Sequence, residues 1–279
     1  MIEIDGASLT LEEVAAVAAG RERSVRLSAA ARGPMAAARQ VIAELAAGSA
    51  PVYGVNTGFG DLANVRVSPE QLRLHQERLL LSHAAGMGEP LPDEAVRGML
   101  LLRANTLARG HSGARPEVVE ALLALLAADL LPEVPSRGSV GASGDLAPLA
   151  HLALPLIGRG AVRLRGERLG AADGLARAGL APLTLEPKEG LALINGTQAM
   201  TALLALAALE ARRLVRLADL IGALSTDALR GTDAAFDARL HALRPHPGQV
   251  LSAGNLWRLL RGSAIRESHR RGDQRVQDP

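Results

Sequence analysis

Apolar residues recur every three to four positions along most of the chain, and glycine or proline interrupts each run. This spacing is typical of helices that bury one face, and a proline followed by an acid marks several of their starts. The helices predicted in this way span residues 9–19, 34–47, 68–85, 92–109, 116–131, 195–224 and 253–260. The chain is therefore expected to be mainly α.

Three segments rich in glycine have no helical period. Residues 51–67 and 137–145 are predicted to be ordered loops, the first of them with short strands. Residues 161–185 are also predicted to be loop-like, and the VRLRGERL stretch within them is typical of a hairpin.

Composition narrows the classes of function. The net charge is +2 and arginines alternate with acids, as on solvated helix faces, so nucleic acid is not an expected partner. The chain has no cysteine, and its histidines lack the spacing of a metal site, so no metal is expected. The N-terminus does not resemble a signal peptide, and apolar runs such as residues 199–209 are too short to span a bilayer. We expect a soluble cytoplasmic protein without a membrane partner.

The segment GSVGASGDLAPLAH, residues 138–151, carries the strongest chemical signal. It is not the G-x-S-x-G nucleophile motif, because Asp145 stands where that motif requires glycine. It is not a P-loop, because the only lysine, Lys188, lies elsewhere and is followed by Glu189. Its glycines do not follow the G-x-G-x-x-G pattern either. The alternative to a chemical role is a plain glycine turn before a helix.

Ala142-Ser143-Gly144 within this segment can supply an electrophile from its own backbone. The Gly144 nitrogen can attack the Ala142 carbonyl and close a five-membered ring, and loss of water, including the Ser143 hydroxyl, leaves a methylidene group. Glycine suits the attacking position because it lacks a Cβ and tolerates backbone strain. The whole segment resembles the signature of the aromatic amino acid ammonia-lyase family, whose members carry this 4-methylidene-imidazol-5-one group (MIO).

The resemblance extends over essentially the whole chain. Further segments similar to the family are YGVNTGFG (53–60), LSHAAG (81–86), RANT (103–106), EGLALINGTQ (189–198) and GDQRVQDP (272–279). Ser82-His83, RGSVGASGDLAPLAH and RPHPGQ most resemble the family members that act on histidine. The resemblance implies non-oxidative elimination of ammonia from L-histidine to give urocanate, with neither a metal nor a dissociable cofactor.

The resemblance also implies roles for individual residues. Tyr53, the only tyrosine, is the candidate base for the β-proton of the substrate, and Asn195 contacts the MIO oxygen or the substrate carboxylate. His83 lies by the substrate imidazole, Gln277 reaches toward the active site, and Asp145 assists the cyclisation or orients the loop. The residues alone leave structural alternatives open, namely core packing for Tyr53, a helix N-cap for Asn195, and a helix end or the core for His83.

The family fold implies a mixed helix and loop region, residues 1–190, which carries the Tyr53 loop and the MIO loop. A bundle of long helices begins at residue 191. Family chains continue past position 279, so we expect the chain to be truncated and its bundle, 191–279, to be incomplete. Family members assemble as homotetramers. The open alternatives are tyrosine or phenylalanine ammonia-lyase or aminomutase activity, or an inactive helical assembly module.

Overall fold

The structure, a computed structural model, describes residues 1–275 and confirms the mainly α class. The α-helices are α1 (Leu11–Ala18), α2 (Ala29–Ala47), α3 (Leu72–His83), α4 (Asp93–Ala108), α5 (Pro116–Ala127), α6 (Leu146–Ala153), α7 (Ala171–Arg177), α8 (Glu189–Ile194), α9 (Gln198–Ala228), α10 (Ala238–Ala242), α11 (Pro247–Leu260) and α12 (Ala264–Ser268). The strands are β1 (Ile2–Ile4), β2 (Val25–Leu27), β3 (Met87–Pro90), β4 (Leu130–Pro132), β5 (Pro135–Arg137), β6 (Ala161–Leu164) and β7 (Glu167–Gly170).

The chain divides into two compact units, Met1–Leu206 and Ala207–Pro279. The first unit carries the Gly-rich loops and ends within the long helix α9. The domain boundary expected after residue 190 lies earlier in the chain than this division and stays a prediction.

Helix α4 forms the centre of the first unit. Its side chains Val96, Met99, Leu100, Leu101 and Ala104 are fully buried. It packs against α1, α2, α5 and α6. Because α4 is buried on most of its faces, it has neighbours nearly all round and supports the elements that cover it.

Three small sheets connect the loops to this core. Strands β1 and β2 are parallel, whereas β3–β5 and the three-stranded β4-β6-β7 sheet are antiparallel. The β6–β7 pair confirms the predicted hairpin, which turns at Arg165 and Gly166, both with positive φ. The β1–β2 pair was not predicted, because strands of three residues are too short to show alternation.

Helix α5 is shorter than predicted. The helix expected over 116–131 ends at Ala127, since Asp129 adopts a left-handed φ of 53°. The apolar residues that follow form the buried strand β4 instead. A continuous run of leucines is compatible with both a buried helix and a buried strand, so the sequence could not show that the helix ends before residue 131.

The long helix α9 also begins later than predicted. It starts at Gln198, because Asn195 leaves the helical conformation with ψ of 93° and ends the separate short helix α8. Helix α7 lies in the segment that was predicted to be loop-like.

Among the described residues 1–275, one helical stretch, Glu189–Ala228, is long and apolar enough to cross a membrane, judged by length and composition alone. It consists of two helices rather than one, since the chain breaks between α8 and α9. The stretch is therefore weak evidence for a membrane span.

The second unit contains most of α9 together with α10, α11 and α12. The amide Nδ2 of Asn255 in α11 donates to Oδ2 of Asp219 in α9 over 2.7 Å. Arg266 of α12 forms a salt bridge with Asp233 at 2.6 Å. The first contact joins α11 to α9, and the second joins α12 to the segment that follows α9.

Candidate active site

Residues 138–145 form a tight loop in front of α6. Gly141 and Gly144 pair as an isolated antiparallel bridge, which folds Ala142 and Ser143 into a turn. Ser143 has a φ of 62°, which is uncommon for a residue with a Cβ, and Gly144 has a φ of 100°. Ala142 and Ser143 are exposed, whereas Gly144 is buried. Ser143, the central residue of the tripeptide that carries the chemical signal, is thus in a sparsely populated conformation for a residue with a side chain.

Gly144 lies against the backbone that connects α8 to α9. A Cβ at this position would lie 2.3 Å from the carbonyl oxygen of Gly196, so the site accommodates only glycine. The backbone N–H of Asp145 donates to the same oxygen over 2.7 Å. The loop is therefore fastened to the junction between the two helices.

Asn195 ends α8 and reaches the loop with its side chain. Its Nδ2 donates to the Ser143 carbonyl oxygen over 2.8 Å. Because Asn195 is the C-cap of α8 and α9 begins three residues later, the N-cap alternative is wrong. The structure thus brings together two of the predicted site residues.

Asp145 is fully buried beneath the loop. Its Oδ1 accepts from the Ser139 hydroxyl over 2.6 Å, and its Oδ2 accepts from the backbone N–H of Met200 over 2.9 Å. Met200 lies in the first turn of α9, where free N–H groups and the helix dipole stabilise a carboxylate. The Asp145 side chain therefore joins the loop to α9.

His83 is the last residue of α3 and is half-buried. Its Nδ1 lies 3.0 Å from the Leu79 carbonyl oxygen and 3.0 Å from the Ser82 hydroxyl, both in its own helix. Farther along, the Gly86 N–H donates to Nε2 of His151 in α6 over 3.0 Å, and β3 pairs with β5, which leads into the loop. These contacts hold the end of α3 beside the 138–145 loop.

Tyr53 extends from its loop with 56% of its surface exposed, so the core alternative is wrong for this residue. Its ring packs edge-on against Phe59 with centroids 6.0 Å apart, and Phe59 stacks on His75 of α3 at 5.0 Å. Gly54 packs so closely on α8 that a Cβ would lie 2.5 Å from Leu191. The Tyr53 loop therefore rests on α3 and α8, which also carry His83 and Asn195.

Two buried charged residues that support α8 were not identified from the sequence. Glu189 at its start is fully buried and accepts from Nε and Nη2 of Arg115, each over 2.8 Å. Arg103 of α4 donates to the backbone carbonyl of Asn195 at its end over 3.2 Å. Burial lowers the pKa of the Arg103 guanidinium to about 10. The only sequence signal for these residues was that Arg103 opens the RANT segment and Glu189 opens EGLALINGTQ.

Gln277 lies outside the described residues, so its place relative to the loop stays a prediction. Within residues 1–275, no group of three or more histidines, aspartates or glutamates could hold a metal ion. The described part of the site is thus the 138–145 loop, in which the Ser143 carbonyl accepts from the Asn195 amide. The elements around the loop carry the phenol of Tyr53 and the imidazole of His83.

Comparison with known proteins relates these features to a family. The profile of the family described as aromatic amino acid lyase matches residues 9–279. Histidine ammonia-lyase from Deinococcus radiodurans is 56% identical over 97% of this chain, and that from Stigmatella aurantiaca is 51% identical over 100%. The chain covers 51% and 54% of these two proteins, so it spans about half the length of the curated relatives it matches.

Solved structures with the same fold include two enzymes of different activity. Tyrosine aminomutase from Streptomyces globisporus superposes with a TM-score of 0.90 at 36% identity, over 100% of this chain and 54% of that one. Histidine ammonia-lyase from Trypanosoma cruzi superposes with a TM-score of 0.85 at 41% identity, over 91% of this chain and 49% of that one.

Proposed function

Because the chain belongs to the aromatic amino acid lyase family, we propose that it forms a 4-methylidene-imidazol-5-one group from Ala142-Ser143-Gly144. We further propose that the whole enzyme eliminates ammonia from L-histidine to give urocanate. Identities of 56% and 51% to histidine ammonia-lyases support this substrate.

The observation that carries the proposal is the conformation of the 138–145 loop. Positive φ at both Ser143 and Gly144 folds the tripeptide into a turn, and Gly196 leaves no room for a side chain at position 144. A left-handed φ also occurs at Asp129 and Arg165, which lie in ordinary turns, so φ alone does not point to chemistry. The tripeptide differs because its turn also excludes a Cβ at position 144 and places the Ser143 carbonyl on the Asn195 amide, and this combination favours a backbone cyclisation over a plain glycine turn.

The proposed cyclisation balances without an external reagent. The Gly144 nitrogen bonds to the Ala142 carbonyl carbon, and the carbonyl oxygen leaves as water with the amide hydrogens of Ser143 and Gly144. The Ser143 hydroxyl leaves as a second water with the Cα hydrogen of the same residue. The Ser143 carbonyl oxygen, which accepts from Asn195 over 2.8 Å, remains on the ring.

When formed, the group supplies an electrophile that withdraws electrons from the substrate amine. The chain's own residues would do the rest. We propose that Tyr53 removes the β-proton and that Asn195 polarises the Ser143 carbonyl through its amide. Asp145 would hold the loop on the first turn of α9 while the ring forms.

Recognition of the substrate would use residues at the rim of the loop. We propose that His83, at the end of α3, lies by the imidazole of the substrate and that Gln277 reaches the same site. No metal or dissociable cofactor takes part in this proposal. The half-buried position of His83 leaves its ring partly accessible to a ligand, which supports this role.

An aminomutase is the second candidate, because tyrosine aminomutase shares the fold with a TM-score of 0.90. Such an enzyme would move the amino group of an aromatic substrate instead of releasing it. Products formed from L-histidine and from L-tyrosine distinguish the two activities. The chain is 36% identical to tyrosine aminomutase but 56% identical to histidine ammonia-lyase, which favours the histidine ammonia-lyase proposal.

The proposed assembly is a homotetramer of a soluble cytoplasmic protein. Large apolar side chains are exposed in the 138–145 loop and on the nearby strand β3, where Val140 is 87% and Met87 is 71% exposed. Surfaces of this kind are usually covered by another chain.

The test of the proposed function is the mass of the folded protein. We expect the intact mass to be lower than that of the translated sequence by two waters, with the loss located in the peptide that contains Ser143. Ser143→Ala should abolish the loss, whereas Ser49→Ala, the same change at an exposed position of another loop, should keep it. An unmodified Ala142-Ser143-Gly144 peptide in the native protein would contradict the proposal.

A further inference from the structure

Arg103 is a buried cation whose described contacts include no carboxylate. Only 2% of the residue is exposed, and its Nη1 donates to the Asn195 carbonyl oxygen over 3.2 Å and to Oε1 of Gln198 over 2.7 Å. Its Nε is buried without a hydrogen-bond partner among the described residues. Burying a guanidinium without a counter-ion is unfavourable, and an apolar side chain would fill the same space without this cost. Packing alone therefore does not account for an arginine at this position.

These contacts span the break between α8 and α9. The Asn195 carbonyl is at the end of α8, and Gln198 is the first residue of α9. Gln198 in turn donates from Nε2 to the Thr106 hydroxyl over 3.1 Å, so α4 contacts both helix ends. Gly196 lies so close that a Cβ would be 2.0 Å from Nη1 of Arg103. Arg103 thus lies directly against the peptide that connects the two helices.

Asp145 contacts the same segment from the catalytic loop. Its N–H donates to the Gly196 carbonyl, and its carboxylate accepts from the Met200 N–H. A buried cation therefore contacts the C-terminal end of α8, and a buried anion contacts the first turn of α9. The anion suits the first turn of α9, whose free N–H groups favour a carboxylate, whereas the cation lies between the two helix ends and contacts both.

We propose that Arg103 is a positioning residue that fixes the α8–α9 break and thereby keeps the Asn195 amide on the Ser143 carbonyl. The direction of the Asn195 side chain depends on its own backbone, and Arg103 holds that backbone at the carbonyl. Without this contact the backbone between α8 and α9 is no longer held in place, and the Asn195 amide no longer donates to the Ser143 carbonyl. The consequence for ring formation rests on the function proposed above, whereas the consequence for the break does not.

The test compares Arg103→Met and Arg103→Lys in the whole chain by hydrogen–deuterium exchange and by intact mass. A lost hydrogen bond to a charged group corresponds to about a tenfold change in a local opening equilibrium. We expect the amides of Asp145 and Met200 to exchange about tenfold faster in Arg103→Met. The fraction of chains that have lost two waters should fall several-fold. Arg103→Lys keeps the positive charge but not the several N–H donors of the guanidinium. It should restore part of the protection from exchange and part of the two-water loss.

Arg97→Met is the matched control, because Arg97 is a second, largely buried arginine of α4 that pairs with Asp129, away from the break. It should leave exchange at Asp145 and Met200 unchanged, even if it destabilises the fold. Wild-type exchange at these two amides in folded Arg103→Met would overturn the inference. If Arg103→Met does not fold, unchanged exchange in Arg103→Lys overturns it instead. A wild-type chain without the two-water loss would contradict the proposed function only, since the exchange result still decides the role of Arg103.

Discussion

The most constrained residue of the loop is Gly144, where a left-handed backbone and a close contact coincide. We expect Gly144→Ala to prevent the loss of two waters. Its Cβ would lie 2.3 Å from the Gly196 oxygen at a φ of 100°, and one of the two segments would have to move. Strain of this kind costs about 1–3 kcal/mol, and the displaced loop should lose the Asn195 contact. Intact mass and thermal unfolding measure the two effects.

Gly141→Ala tests backbone strain alone, without a contact like the one between Gly144 and Gly196. Gly141 has a φ of 77°, but a Cβ there would meet no atom within 4 Å. This variant should lose about 1 kcal/mol of stability and keep most of the modification. Equal loss of the modification in both variants would mean that strain alone, and not the contact with Gly196, controls the cyclisation.

At the level of single residues, the sequence could identify Ser143 and Asn195 because each belongs to a contiguous segment of recognisable chemistry. It could not identify the support of α8 by Glu189 and Arg103. Their partners Arg115 and Asn195 lie 74 and 92 positions away along the chain, and no local pattern records such contacts. Buried polar networks of this kind depend on tertiary packing, which a periodic pattern does not contain.

Among the elements, the connection of β3 to α6 depends on a neutral histidine. His151 accepts the Gly86 N–H at Nε2, which requires an unprotonated nitrogen. Burial lowers the pKa of His151, and the nearby Glu133 opposes this only in part. The folded pKa is thus below the unfolded value of about 6.5. The stability that this group contributes is fully present above that value and is lost as the pH falls below it.

We therefore expect His151→Asn to lower stability at pH 8 and to reduce the loss of stability between pH 7 and pH 5. Thermal unfolding across this range measures the difference. His111→Asn, at an exposed position, should reproduce the wild-type pH dependence. A His151→Asn slope equal to that of the wild type would show that the pH dependence arises elsewhere, with His75, whose pKa burial also lowers, as the next candidate.

The elements themselves were predicted well where the apolar period is long and poorly where the chain turns. Helices α2, α4 and α9 show several turns of the period, so their existence followed from the sequence. The C-terminal end of α5 and the start of α9 did not, because they depend on the single backbone conformations of Asp129 and Asn195. The short strand β1 has its partner about twenty residues away, and three residues carry too little pattern to show it.

On the scale of the whole molecule, the second part of α9 has the pattern of an interface helix. Leu214, Leu217, Ile221 and Leu224 recur at alternating spacings of three and four, and each is 40–62% exposed. This is the a/d spacing of helices that pack side by side in bundles. In the proposed homotetramer, such a stripe would contact another chain.

We expect the double variant Leu217→Glu, Ile221→Glu to weaken self-association without unfolding the chain. Burying one such side chain contributes about 2 kcal/mol, so the loss of two should lower the association constant by at least about a hundredfold. Sedimentation over a range of concentrations measures the constant, and circular dichroism checks the fold. Val215→Glu is the control, because Val215 is 57% exposed on the same helix but lies outside the stripe. If Val215→Glu weakens association as much as the double variant does, or if neither does, the contact between chains does not use this stripe.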